Sequence, residues 1–210
     1  MLEELEKKYK TMQNKYGDKS LDAITFGGCT NSPDLCFVFM NPTGRNITSN
    51  KEWTGIKSPW IGTKNIWKLF KEVSLLDTSI YNEIINKKGS EWTTDFAKEV
   101  YNNISSHKVF ITNLAKCTQI DARPLKDEVY KKYLNLFFKE MNIVKPKKII
   151  LLGNQVSSIV LDRKISVSTI RKQKFNYKEF SFYPVYYPVG NGIFNMDKAI
   201  EDIKYIINEE

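Results

Sequence analysis

Four short apolar runs, each halted by polar or turn-forming residues, restrict the folds open to this chain. Phe37-Val38-Phe39-Met40 runs into Asn41-Pro42-Thr43-Gly44, and Lys108-Val109-Phe110-Ile111-Thr112 into Asn113-Leu114-Ala115-Lys116-Cys117. Lys147-Lys148-Ile149-Ile150-Leu151-Leu152 stops at Gly153-Asn154, and Phe182-Tyr183-Pro184-Val185-Tyr186 stops at Tyr187-Pro188-Val189-Gly190. Apolar runs of this length, rich in Phe, Val and Ile, read as buried strands, and the segments between them carry helical spacing. The pattern predicts an α/β fold: a three-layer α/β/α sandwich around a four-stranded, mainly parallel sheet. Each strand would hand polar residues to one rim, the carboxyl edge. Ligands bind there in open parallel sheets, because loops leave the strand ends and helix N-termini point inward.

The helices follow from apolar periodicity. Leu2, Leu5, Tyr9, Met12 and Tyr16 make one stripe, suited to packing on the chain's own sheet, with a partner-binding helix as the other reading. Ile66, Leu69, Phe70 and Val73 mark a helix ending near Leu76. Residues 77 to 106 read poorly except for a helix from about Thr94 to Ile104. Pro124 suits a first helical turn, followed by the buried face Leu125, Val129, Tyr133, Leu136, Phe137 and Met141. Met196, Ile200, Ile203 and Ile207 close the chain as an amphipathic helix, with Asn195 as its cap. The loop from Gly27 to Pro33 leads into the first strand, and the polar stretch from Gly44 to Gly62 embeds Trp53 and Trp60.

With 210 residues and no linker-like stretch, one domain over residues 1–210 is expected. No apolar run approaches the ~20 residues needed to span a bilayer, and no signal-peptide core is present, so a cytoplasmic monomer without membrane contact is expected. The odd count of three cysteines, Cys29, Cys36 and Cys117, suits reduced thiols rather than a disulfide framework. Lys and Arg exceed Asp and Glu by 32 to 24, a net charge of +8 that favours a polyanionic partner. Lys-, Asn- and Ile-rich usage is an equal explanation of that charge.

The motifs, in this order, resemble those of the uracil-DNA glycosylase superfamily from about Gly27 to about Ile207. Asn41-Pro42-Thr43-Gly44 is similar to the first glycosylase motif in its Asn-Pro form. Ser58-Pro59-Trp60-Ile61-Gly62 is similar to the segment whose ring stacks on the extruded base. Thr112-Asn113-Leu114-Ala115-Lys116-Cys117 resembles the motif whose Asn reads the base edge, with Arg123-Pro124 and a long helix next. Leu151-Leu152-Gly153 and Tyr183-Pro184-Val185-Tyr186-Tyr187-Pro188 match the last two elements. Two positions depart from the family pattern. Tyr187 stands where many relatives have a histidine, the chain's single His107 lying at a strand start on the other rim. Four thiolates are needed for the iron-sulfur cluster of some relatives, whereas this chain has three cysteines, with Tyr133 about where a fourth would be. No metal and no cofactor are therefore expected.

The resemblance implies a DNA glycosylase that hydrolyses an N-glycosidic bond after flipping out a deaminated base, most simply uracil, in base excision repair. Asn41 would hold the attacking water through its side-chain oxygen, positioning it rather than removing its proton. Tyr187 would donate to the departing base. Met40, Trp60 and Asn113 would surround the base, Trp60 as a stacking plate and Asn113 as an edge reader. Thr43, Gly44, Lys116, Pro188, Val189, Gly190 and Ile193 would meet the DNA, with Ile193 or Phe194 filling the emptied stack. Residues 77–106 would shape the DNA-binding face. A catalytically altered nucleic-acid-binding member, or a glycosylase for another base such as hypoxanthine, is the alternative. Histidine-dependent hydrolases, clustered metal ligands and phosphate-cradling glycine loops find no matching pattern.

Overall fold

The computed structural model describes residues 1–123 and 125–209, so the expectation for Pro124 lies outside the described residues. In chain order the elements are α1 (Leu2–Tyr16), β1 (Phe26–Gly28), β2 (Leu35–Phe39), α2 (Asn65–Glu72), α3 (Thr78–Asn86), α4 (Thr94–Ser106), β3 (Val109–Asn113), α5 (Asp127–Val144), β4 (Lys148–Leu152), α6 (Asn154–Val160), β5 (Phe175–Tyr177), β6 (Phe180–Val185) and α7 (Met196–Asn208). The strands form one sheet in the order β1-β3-β2-β4-β6-β5.

The four expected strands, β2, β3, β4 and β6, make the parallel centre. Two antiparallel edges complete it: β1 pairs with β3 and β5 with β6. Neither edge is expected from the sequence, and Gly27, expected in a loop, lies within β1. At three residues each they are too short to show a period of two, and only pairing with a long neighbour makes them strands.

Alternation along the central strands divides the core into two layers. Leu35, Phe37, Phe39, Ile150, Leu152 and Tyr183 join Trp67, Phe70, Ile84, Val100 and Ile203 from α2, α3, α4 and α7. Cys36, Val38, Phe110, Ile149, Leu151 and Phe182 join Tyr9, Tyr133, Phe137 and Val156 from α1, α5 and α6. With both faces covered, the central strands are mostly apolar, which is why they read as nearly continuous runs.

The stripe on α1 packs against the second layer, as expected of a scaffold helix. The poorly legible region 77–106 holds two helices, α3 and α4, the latter capped by Thr93 Oγ1 accepting from the Phe96 amide at 3.1 Å. Asn195 occupies the N-cap position of α7, but its side chain makes no capping hydrogen bond. Among the described residues no helix is long and apolar enough to cross a membrane.

Candidate functional site

The connection leaving β2 leads to helices on one face of the sheet, and that leaving β3 leads to α5 on the other. A crevice opens between divergent connections at the carboxyl ends of neighbouring strands. The ladder continues past the strands to hold its walls: the Leu114 amide donates to Phe39 O at 2.7 Å and the Ala115 amide to Met40 O at 3.0 Å. The Gly44 amide then donates to Gln119 O at 2.8 Å and the Gln119 amide to Pro42 O at 3.1 Å. Asn113 pairs with Phe39, two residues before Asn41, so the two asparagines, 72 positions apart in sequence (113 − 41), come to the same rim.

A cavity of about 380 Å³ occupies this crevice, within the ~300–1,000 Å³ of small-molecule sites. Of the residues singled out from sequence, Asn41, Thr43, Trp60, Asn113, Tyr187, Val189 and Gly190 line it. Asn41 accepts a hydrogen bond at Oδ1 from the Tyr130 hydroxyl, 2.6 Å away, while its Nδ2 donates to Pro42 O at 3.2 Å. Asn113 is only 2 % exposed, and its Nδ2 has no hydrogen-bond partner among the described residues. A buried amide donor without a partner costs about 1–3 kcal/mol. Placed in a cavity wall, it is a free donor of the kind that a ligand carbonyl would satisfy.

Trp60 takes a left-handed backbone conformation, φ 67°, which is unfavourable for a bulky residue by roughly 1–3 kcal/mol. Hydrogen bonds on both sides hold it there. Asn46 Oδ1 accepts from the Trp60 amide at 2.6 Å, and Thr63 Oγ1 donates to the Trp60 carbonyl at 2.6 Å. The indole packs edge to face on Phe39 at 4.8 Å between centroids, and Tyr187 packs on the same Phe39 at 6.4 Å. Three aromatic rings thus form one corner of the site. Trp53, the other loop tryptophan, instead closes its own turn by donating from Nε1 to Ile56 O at 3.0 Å.

Tyr187 is held from behind by two glycines. A Cβ on Gly192 would stand 2.1 Å from the Tyr187 carbonyl, and one on Gly153, φ 97°, would meet the Tyr187 Cβ at 3.3 Å. Its hydroxyl makes no hydrogen bond among the described residues, and burial pushes the phenol up to about 12, so it remains a protonated donor near neutrality.

Other expected contacts are placed elsewhere. Met40, Gly44, Lys116, Pro188 and Ile193 are absent from the cavity wall. Met40 packs its side chain into the layer beneath α5, and Pro188 is buried. Lys116, expected at the DNA, is not available to it: its side chain is 0 % exposed and cannot reach a phosphate. The ammonium instead donates to Glu140 Oε1 at 3.0 Å, Thr112 Oγ1 at 2.6 Å and the Asn113 carbonyl at 2.5 Å. Burial lowers the Lys116 pKa, and the Glu140 carboxylate opposes that shift. Gly44 and Ile193 are exposed, as is Phe194, next to Ile193 in the chain, at 92 %.

Arg45, Asn46 and Lys64 line the cavity without having been singled out from sequence, although Arg45 and Asn46 directly follow the Asn-Pro-Thr-Gly turn. Among the described residues the wall carries no carboxylate and no imidazole. His107 caps α4 away from the cavity wall, where Nε2 pairs with Asp77 Oδ1 at 2.9 Å. The cysteines do not suit an iron-sulfur cluster: Cys29 follows β1, Cys36 lies in β2 and Cys117 follows β3. No group of three or more His, Cys, Asp or Glu among the described residues could hold a metal ion. The Tyr133 phenol lies against Cys117 instead. A family model described as the uracil DNA glycosylase superfamily matches residues 26–200, a span containing every residue of the cavity wall.

Proposed function

This chain belongs to the uracil-DNA glycosylase superfamily, and we propose that it is a monofunctional glycosylase that excises uracil from DNA in base excision repair. The family carries DNA glycosylase chemistry and a DNA substrate in general; the base and the residue roles are our reading. One observation supports it above the rest: Asn41, Trp60, Asn113 and Tyr187 share the wall of a single cavity at the carboxyl edge of the sheet.

Hydrolysis leaves oxocarbenium character on the sugar and negative charge on the departing base. Trp60 supplies a stacking plate for the extruded base, and the free Nδ2–H of Asn113 donates to a base carbonyl. Asn41 Oδ1 has a second lone pair beyond the one used by Tyr130, and it orients water toward the anomeric carbon. With no carboxylate or imidazole in the described wall, water is activated by position and by the electron-poor sugar rather than by a strong base. The Tyr187 phenol donates to the leaving anion. Such a site favours bases that leave readily as anions, hence uracil.

Duplex and single-stranded oligonucleotides carrying uracil opposite A or G, hypoxanthine or xanthine test this. Wild type should leave alkali-labile sites at uracil, and Asn41→Ala should lower that rate on the order of 10²-fold while DNA affinity persists. Equal cleavage by both proteins removes Asn41 from the mechanism. Salt-dependent binding without any abasic product would replace the enzyme by a nucleic-acid-binding module.

A further inference from the structure

A second hollow, about 580 Å³, adjoins the first and shares Lys64 and Asn65 with it. Its floor and sides come from α2, α3 and the start of α7. Lys64 bridges them: its Nζ donates to Ile85 O at the end of α3, 2.5 Å away. Lys68, one helical turn further along α2, is exposed at the same groove.

The apolar surface of the protein is concentrated here. Six large hydrophobic side chains are exposed among the described residues, and three of them line this groove: Phe194 at 92 %, Ile193 at 40 % and Ile85 at 39 %. Tyr81 adds a second aromatic ring, and Asp197 is the one carboxylate. Single exposed hydrophobics need no explanation, but a cluster beside a ligand cavity does. Aromatic faces combined with ammonium groups along a groove are how proteins hold unpaired nucleic acid.

We propose that this groove is the subsite for the nucleotide next to the extruded one on the same strand, with Phe194 stacking on its base and Lys68 facing its phosphate. The proposal rests on the glycosylase reading. Continuity decides the occupant: the strand bearing a flipped nucleotide must leave the base cavity at its mouth, and Lys64 and Asn65 form the lip shared with the groove. Two lysines on the same groove, Lys68 with no carboxylate partner among the described residues, suit a phosphodiester. Residues of α3, from the stretch whose sequence was least legible, thereby acquire a role in holding the substrate.

The test uses single-stranded uracil oligonucleotides trimmed to zero, one or two nucleotides on either side of the lesion, with wild type, Phe194→Ala and Lys68→Glu. Removing the neighbour on one side should raise KM by roughly 5- to 150-fold in wild type, leave kcat unchanged, and have little effect in Phe194→Ala. Lys68→Glu should weaken binding and flatten its salt dependence by about one phosphate contact. Equal sensitivity to trimming in wild type and Phe194→Ala overturns the subsite. If no oligonucleotide is cleaved, the glycosylase reading fails by itself, and fluorescence anisotropy on the same strands still decides the groove. Weaker binding by both variants then supports it. Binding equal to wild type overturns it and assigns the apolar cluster to a protein partner.

Discussion

The Tyr130 hydroxyl donates a 2.6 Å hydrogen bond to Asn41 Oδ1, joining the middle of the sheet rim to helix α5 across 89 positions of sequence. Tyr130 is fully buried, and burial raises its phenol pKa well above the usual range, so it stays protonated and acts as a donor. The bond fixes which face of the amide is turned to the cavity. Asn41 has no other partner for that oxygen among the described residues, while its nitrogen is held by Pro42 O.

Tyr130→Phe should therefore lower kcat for excision by about tenfold, the scale of one net hydrogen bond, with KM little changed. In an Asn41→Ala background the same change should do nothing further. Single-turnover rates of the two single variants and the double variant measure this, and multiplicative losses would assign Tyr130 to folding alone.

Tyr187 leads to a prediction about leaving groups. If its phenol stabilises the departing base, Tyr187→Phe should slow excision of uracil more than excision of 5-fluorouracil, whose anion needs less help. Equal slowing on both substrates rejects the role. The pH dependence has a definite sign. The folded phenol, pushed up to about 12, lies above an unfolded value of ~10. Its contribution to stability is thus complete below pH ~10 and lost as pH rises through the folded value, so the donor should not limit excision between pH 7 and ~10.

The Lys116–Glu140 pair should be a stability element lying directly behind the base-reading amide. Both side chains are 0 % exposed, and Glu140 also accepts from Thr112 Oγ1 and the Tyr9 hydroxyl, each at 2.7 Å. Lys116→Met strands a buried carboxylate and should reduce stability by about 3–5 kcal/mol in guanidinium unfolding. Because Lys116 also holds the Asn113 carbonyl, uracil affinity should fall with it. The double variant Lys116→Met/Glu140→Met should recover part of the stability, since removing both charges is far milder than orphaning one. No loss in the single variant would show that water relieves the carboxylate.

What could be read from the chain follows from which forces act locally. The central strands at Leu35–Phe39, Val109–Asn113 and Lys148–Leu152 announce themselves because burial on both faces demands unbroken apolar runs. Asn41 and Asn113 stand out because polarity begins abruptly at those strand ends. Phe26–Gly28 and Phe175–Tyr177 carry no such signal, since their pairing comes entirely from a longer neighbour.

The sequence by itself determined the layered α/β architecture, the family and the rim on which the polar residues gather, because hydrophobic periodicity and turn chemistry act over a few residues. Tertiary structure alone decided the partners. It took Lys116 inward to Glu140, brought Tyr130 against Asn41 and Asn46 against Trp60, and grouped Phe194 with Lys68. A charge or a hydroxyl in a sequence does not say whether it will meet water, a ligand or a buried counter-charge. Only the packing of segments distant along the chain sets its dielectric surroundings and its hydrogen-bond geometry.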